Sequence, residues 1–283
     1  MTHHLQLSPW LIVSALLCAW PVIALAQLQV VTGDTTPMAF AGEERRIEIV
    51  FRNPGKETTK ADLHMRLHQT TSATAAQLYE RPWKTLTVLP GQTVLETATL
   101  DFPAVRAETR FLVQWLDGTN TVLGKTEVRV FPTNLLARLQ TLAGETPLGV
   151  FDPAEQLQPL LRTLAVPFQD LAEDGTDKFA GKLALFGPFA SKSQMRASLA
   201  ADIRALAKRG VAVVWLQPPP PKHAPLKPSF HLVREASGAV VVAQSSLAAH
   251  LAESPEAQLT LLQLAELALH PVPLDLPETE TSN

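Results

Sequence analysis

The stretch GKLALFGPFASKSQMRASLAADIRALAKRGVAVVWL, Gly181 to Leu216, decides how the rest of the chain is read. Its first run, Lys182 to Phe186, is a short apolar strand of the kind found where a sheet is covered on both faces. Gly187-Pro188 stops it. Met195, Leu199, Ile203 and Leu206 then recur at three- and four-residue spacing, which is the period of one helix face. Ser191 or Ser193 is the expected cap of that helix, and Lys208-Arg209-Gly210 its end. Val211 to Leu216 returns as a β-branched strand too apolar for a surface position. A strand, helix and strand in this order predict two parallel neighbours joined by a right-handed crossover.

Around this unit the second half continues in the same style. Leu148 to Phe151 reads as a strand, and Asp152-Pro153-x-Glu155 as a capped helix start followed by the apolar stripe Leu157, Leu160, Leu161 and Leu164. Val166 to Phe168 is a short edge strand, and Asp170 to Ala180 is too polar and too short for a crossover helix. The prolines from Pro218 to Pro228 impose an extended segment, and two more strands, His231 to Arg234 and Ala239 to Ala243, flank Ser237-Gly238. Ser254-Pro255 opens a last helix that Pro271 ends.

The first half has a period of two. Ile47, Ile49 and Phe51 alternate with Arg46 and Glu48, and the same pattern returns in Leu63, Met65 and Leu67 and in Phe111, Val113 and Trp115. Turn signals at Asn53-Pro54-Gly55, Pro90-Gly91 and Asp117-Gly118 separate about seven strands, the spacing of an immunoglobulin-like sandwich. The expectation is therefore two domains: an N-terminal immunoglobulin-like β-sandwich, and a C-terminal α/β, mostly parallel sheet with flanking helices. The boundaries are residues 1–26 for a signal segment, 27–132 for the sandwich, 133–147 for a linker helix, 148–270 for the α/β domain and 271–283 for a disordered acidic tail.

Composition sets the context. The chain has 283 residues, is 46% hydrophobic and carries a net charge of −3, which gives no electrostatic reason to expect a nucleic-acid partner. Pro9 to Ala26 contains no Asp, Glu, Lys or Arg and ends in Ala24-Leu25-Ala26, so the expectation is a secretory signal cleaved after Ala26, a periplasmic or extracellular destination and no stable membrane span afterwards. Cys18 is the one cysteine and would leave with the signal. A mature chain without a thiol has no disulfide and no cysteine nucleophile.

Motifs that carry chemistry are missing. Neither G-x-G-x-x-G nor a GK[ST] loop follows a strand, so no nucleotide cofactor is expected; G-x-S-x-G and H-E-x-x-H are absent as well. His64 and His68 share a strand face but lie roughly 13 Å apart at about 3.3 Å per residue, too far to hold one ion unaided. Tyr79 and Trp83, in an expected loop, could stack on a sugar ring. Four residues remain as candidates for a ligand pocket at the carboxyl edge of the sheet: Asp152 as ligand or acid, Ser191 as a hydroxyl just past the central strand, and His223 or His231 as a base.

The runs Lys182 to Pro188 and Leu206 to Trp215 resemble the class I glutamine amidotransferase-like superfamily, in the form appended to bacterial secreted carbohydrate-active proteins. The resemblance covers roughly Leu148 to Leu216 and implies a flavodoxin-like domain. Glutaminase activity in that family needs a Cys on a tight turn and a later His with a carboxylate, neither of which this mature chain offers. The implied role is a non-catalytic accessory or binding protein of the cell envelope, with a glycan or an envelope protein as partner. Two other readings stand beside it. One is a hydrolase of carbohydrates or esters using carboxylates such as Asp152 and Asp170, which would have to lie about 5 to 9.5 Å apart; the other is an assembly partner using the proline strip or the acidic tail.

Overall fold

The computed structural model describes residues 28–31, 33, 35–189, 191–218, 229–244, 247 and 250–271. The signal segment, His223 with most of the proline strip, and the acidic tail after Pro271 lie outside the described residues.

The first half folds as two facing sheets. β1 (Gln29–Val31), β3 (Glu44–Arg52) and β6 (Thr93–Asp101) form one, in the order β1-β3-β6. β2 (Met38–Phe40), β4 (Thr59–Thr70), β5 (Ala75–Val88), β7 (Thr109–Asp117) and β8 (Thr121–Phe131) form the other, in the order β2-β8-β7-β4-β5. The period of two sends Ile47, Ile49 and Phe51 inward from β3 to meet Leu63, Met65, Leu67, Phe111 and Val113, all nearly devoid of solvent contact. At the centre Trp115 meets Trp83 at a tilt of 49° with 5.3 Å between ring centroids, and Phe51 edge-on at 6.5 Å. Its indole N–H donates to Thr126 Oγ1 at 2.9 Å, so the buried polar atom is satisfied. Asn53 holds the turn after β3: its amide donates to the Glu57 and Val88 carbonyls at 2.8 and 3.0 Å and its oxygen accepts from Gly55 N–H.

The third sheet has six strands: β9 (Leu148–Phe151), β10 (Phe168–Asp170), β11 (Leu183–Phe186), β12 (Ala212–Gln217), β13 (Ser229–Arg234) and β14 (Ala239–Gln244). Their order is β10-β9-β11-β12-β14-β13. β11 and β12 pair in parallel, Leu183 beside Ala212 and Phe186 beside Trp215, as the strand, helix and strand reading of Gly181 to Leu216 requires. Helices α1 (Arg138–Ala143), α2 (Leu157–Thr163) and α4 (Pro255–Leu269) pack on one face. Helix α3 (Leu199–Lys208) covers the other through Leu199, Ile203 and Leu206. Ser254 caps α4 by accepting from Ala257 N–H, with Pro255 at the first helical position. Phe40 and Phe131, from β2 and β8, belong to the same buried cluster as α1, α4 and β9, so apolar packing runs unbroken from the first half into the second.

The expected fold class needs correction. An immunoglobulin-like sandwich followed by a mostly parallel α/β sheet with flanking helices does not describe a molecule with three sheets, each antiparallel or mixed. β2 enters the five-stranded sheet parallel to β8, and β13 closes the six-stranded sheet antiparallel to β14. Strand, at 43%, outweighs helix, at 20%, and α1 and α2 are only six and seven residues long. The physical reason lies in what periodicity encodes. It tells which face of a strand is buried, and says nothing of which neighbour the strand pairs with or in which direction. Residues 79–83, expected in a loop, lie inside β5, and Trp83, half-buried, packs its ring against Phe51 and Trp115 of the core.

One close approach ties the facing sheets together. β1 crosses over Gly124 of β8, where a β-carbon would collide with the Val30 side chain. Gly124→Ala should lower stability by about 1–3 kcal/mol through overpacking, and Val30→Gly in the same chain, which removes the colliding β-carbon, should recover part of the loss. Urea unfolding of the two variants checks this; an unchanged midpoint for Gly124→Ala would contradict the contact.

Candidate functional site

Of the residues singled out at the carboxyl edge of the six-stranded sheet, Asp152 is the most constrained. It follows β9 directly, is 5% exposed, and its Oδ2 accepts from the N–H groups of Leu157 and Gln158 at 2.6 and 2.9 Å. The carboxylate thus satisfies two free amides at the start of α2. The expected cap three residues on does not form, because Glu155 takes a positive φ of 50° and delays the helix to Leu157. Asp152 Oδ1 is buried and has no hydrogen-bond partner.

Asp170, at the end of β10, is similarly engaged. Its Oδ1 accepts from Ala172 N–H at 2.8 Å and its Oδ2 from the Gln158 amide at 2.9 Å. Gln158 therefore ties both carboxylates into the scaffold, by its backbone to Asp152 and by its side chain to Asp170. A pair of free carboxylates facing a substrate across a cleft is not what these bonds describe.

Ser191 does not cap α3. It is exposed on a short 3-10 turn with its Oγ 2.7 Å from Ser193 Oγ, and α3 begins eight positions later at Leu199. His231 sits on β13 opposite Val242, at the far end of the sheet from β9. With β11, β12 and β14 between them, β9 and β13 are separated by about 19 Å at roughly 4.8 Å per strand step. His231 therefore shares no site with Asp152. His223 lies outside the described residues.

The facing sheets of the first half hold a different feature. Along one side they are laced shut: Lys84 meets Glu96 at 2.6 Å, and Arg81 reaches from β5 to the Thr99 carbonyl at 2.8 Å and to Asp101 at 3.4 Å. Burial there pushes the Tyr79 phenol up from its ordinary value, against the opposing pull of the Arg81 guanidinium. The opposite side stays open as a groove of about 1020 Å³ between β1 and β3 on one wall and β8 on the other. Arg45, Arg46 and Glu48 line the first wall, Lys125, Glu127 and Arg129 the second.

Some of these charges are occupied. Arg129 donates to Glu108 at 2.7 Å, and that hydrogen bond holds the Glu108 carboxyl below the usual range and the guanidinium above its own. Glu127 lies 3.7 Å from Arg110. Among the described residues no hydrogen bond or ion pair engages the side chains of Arg45, Arg46, Glu48 or Lys125. Sequence reading missed the groove because it depends on where β1 and β2 stop, and three-residue strands carry no periodic signal. Arg45-Arg46 on one strand and Lys125-x-Glu127-x-Arg129 on another were its visible traces.

No family model and no curated protein matches the chain. Among solved structures, a β-glucosidase from Listeria innocua in complex with gluconolactone aligns at 14% identity over 37% of this chain and 16% of that chain, with a TM-score of 0.29. The sporulation control protein Spo0M from Bacillus subtilis aligns at 15% identity over 41% of this chain and 56% of that one, TM-score 0.28. The alkylpurine DNA glycosylase AlkC from Pseudomonas fluorescens aligns at 14% identity over 37% and 29%, TM-score 0.28. The chain spans less than two thirds of each of these proteins, and similarity at this level carries no argument about fold or activity.

The role assigned to Asp152 is testable. Asp152→Ala removes both acceptor bonds at the start of α2 and should cost about 2 kcal/mol, whereas Ser191→Ala should leave stability within about 0.5 kcal/mol of the parent. Denaturant midpoints read both; an Asp152→Ala chain as stable as the parent would remove the structural role.

Proposed function

We propose that this chain is an exported, non-catalytic accessory protein of the cell envelope that works by binding. The observation that carries the reading is the open groove in the first half, about 1020 Å³ in volume, whose border includes Arg45, Arg46, Glu48 and Lys125, side chains with no partner among the described residues. Supporting it, the side chains that could have formed an active centre are dispersed or committed. Asp152 and Asp170 hold backbone amides, and His231 is four strand steps from β9.

In this reading the apolar segment before Gln27 is a secretory signal, and the stretch Leu148 to Leu216 is a thiol-free relative of the glutamine amidotransferase-like proteins. A link to polysaccharide handling belongs to the same proposal. Among the described residues no helix is long and apolar enough to cross a membrane, which is compatible with a chain that acts outside the bilayer after its signal is removed.

The test is to express the full chain with a C-terminal tag, separate periplasm, membranes and cytoplasm, and sequence the N-terminus of the mature form. The expected result is a periplasmic or secreted chain beginning at Gln27 that captures an envelope component and releases no ammonia from glutamine. A full-length chain retained in the cytoplasm, or turnover of glutamine by the purified protein, would overturn it.

A further inference from the structure

We infer that the groove is a strand-addition site: it takes an extended acidic segment of another polypeptide, whose backbone pairs with the free edge of β3. This deepens the binding reading above and rests on it.

β3 pairs with β6 along its whole length, Glu44 beside Asp101 to Arg52 beside Thr93. On its other side β1 pairs only with Val50, Phe51 and Arg52. From Glu44 to Ile49 that side of β3 has no strand beside it among the described residues, and no described residue pairs with its outward N–H and C=O groups. The groove lies along this edge. Its β3 wall is unbroken from Arg45 to Val50, and since successive side chains of a strand point to opposite faces, a continuous lining means that the backbone edge borders the space.

The far wall repeats the pattern. Lys125, Thr126 and Glu127 of β8 line the groove consecutively, and β2 pairs with β8 only at Arg129 to Phe131. Two open edges thus face one another, each capped at one end by a three-residue strand. A strand entering in line with β1 would continue the three-stranded sheet at the usual spacing of about 4.8 Å.

Charge sets the chemistry of the occupant. Among the described residues three cations of the groove, Arg45, Arg46 and Lys125, have no ionic partner, against two carboxylates likewise unpaired, Glu48 on the same wall and Glu256 at the start of α4. Carboxylates on alternate positions of the incoming segment would meet them. Val31, 45% exposed, and Leu95, 60% exposed, border the same space and suit apolar side chains at the positions between. No aromatic side chain lines the groove among the described residues, and stacking on aromatic faces is what a sugar ring would use there. A peptide therefore fits the groove better than a glycan.

The probe is a fluorescent peptide of six residues alternating valine and glutamate, titrated against the full mature chain with anisotropy as readout. Three controls are a valine–lysine counterpart, the valine–glutamate peptide N-methylated at alternate amides, and a mixed soluble oligosaccharide extract as competitor. The expected result is at least tenfold weaker binding for both altered peptides, and a preference for the lysine peptide in the Arg46→Glu, Lys125→Glu double variant. Equal binding of all peptides, binding indifferent to N-methylation, or no peptide binding at all would overturn the inference and leave Arg45 and Arg46 as charges that merely guard a bare edge. Displacement by the oligosaccharides of a probe indifferent to N-methylation would overturn it in favour of a glycan. Capture of an envelope component that persists undiminished in the double variant would sink the groove inference while leaving the binding reading intact.

Discussion

The core shared by the three-stranded and five-stranded sheets constrains everything at the groove. Phe51, Trp83 and Trp115 meet at its centre, and their packing sets how β3 lies across β7 and β4. Two facing sheets with a common core leave two open sides. The β5 and β6 side is held by Lys84 with Glu96 and by Arg81 with the Thr99 carbonyl and Asp101. Ion pairs of this exposed kind contribute little stability each, so their effect is to fix the side chains that cover the opening. The other side is crossed by β1 at Gly124 and by the connection from β1 to β2, whose Gly33, Thr35, Thr36 and Pro37 line the groove, and beyond them the walls stand apart. The groove follows from that asymmetry.

The second half is built differently and does other work. Its central strands are buried on both faces, which leaves no outward-facing row of polar side chains to specialise. Polar residues near the carboxyl ends of the strands shape loops: Asp152 and Asp170 hold the turn into α2 through Gln158. Burying the Asp152 carboxylate is tolerable because two amides meet one of its oxygens at short range. Packing through Phe40, Phe131 and the α1 and α4 helices then joins this half to the first.

Local periodicity made several elements legible. β11 and β12 stand close to where apolar spacing put them and α4 starts at its Ser-Pro signal, whereas α3 ends at Lys208 as expected but begins only at Leu199, leaving the expected Met195 outside it. Three kinds of feature were not legible. Pairing direction was one, since the parallel entry of β2 beside β8 and the antiparallel closure by β13 leave no mark on the alternation of their residues. Short elements were another: β1 and β2 have three residues each, yet they decide where the groove begins and ends. The third was backbone detail, as at Glu155, whose positive φ moved the helix start and turned Asp152 into a longer-range cap. Ser191 was misplaced for a related reason, because Lys192 to Gln194 form a separate turn before α3. Of the candidate site itself, only the charge pattern on β3 and β8 could be read beforehand.

The account turns on whether the outer edge of β3 is bare in the free protein. Amide hydrogen exchange of the purified chain, resolved by residue, measures this directly. Between Arg45 and Ile49 the amides should alternate, every second one slow because it bonds to β6 and the others exchanging as fast as solvent-facing amides. Uniformly slow exchange across these residues would mean that another segment already pairs with the edge, and the groove would not be a vacant strand site.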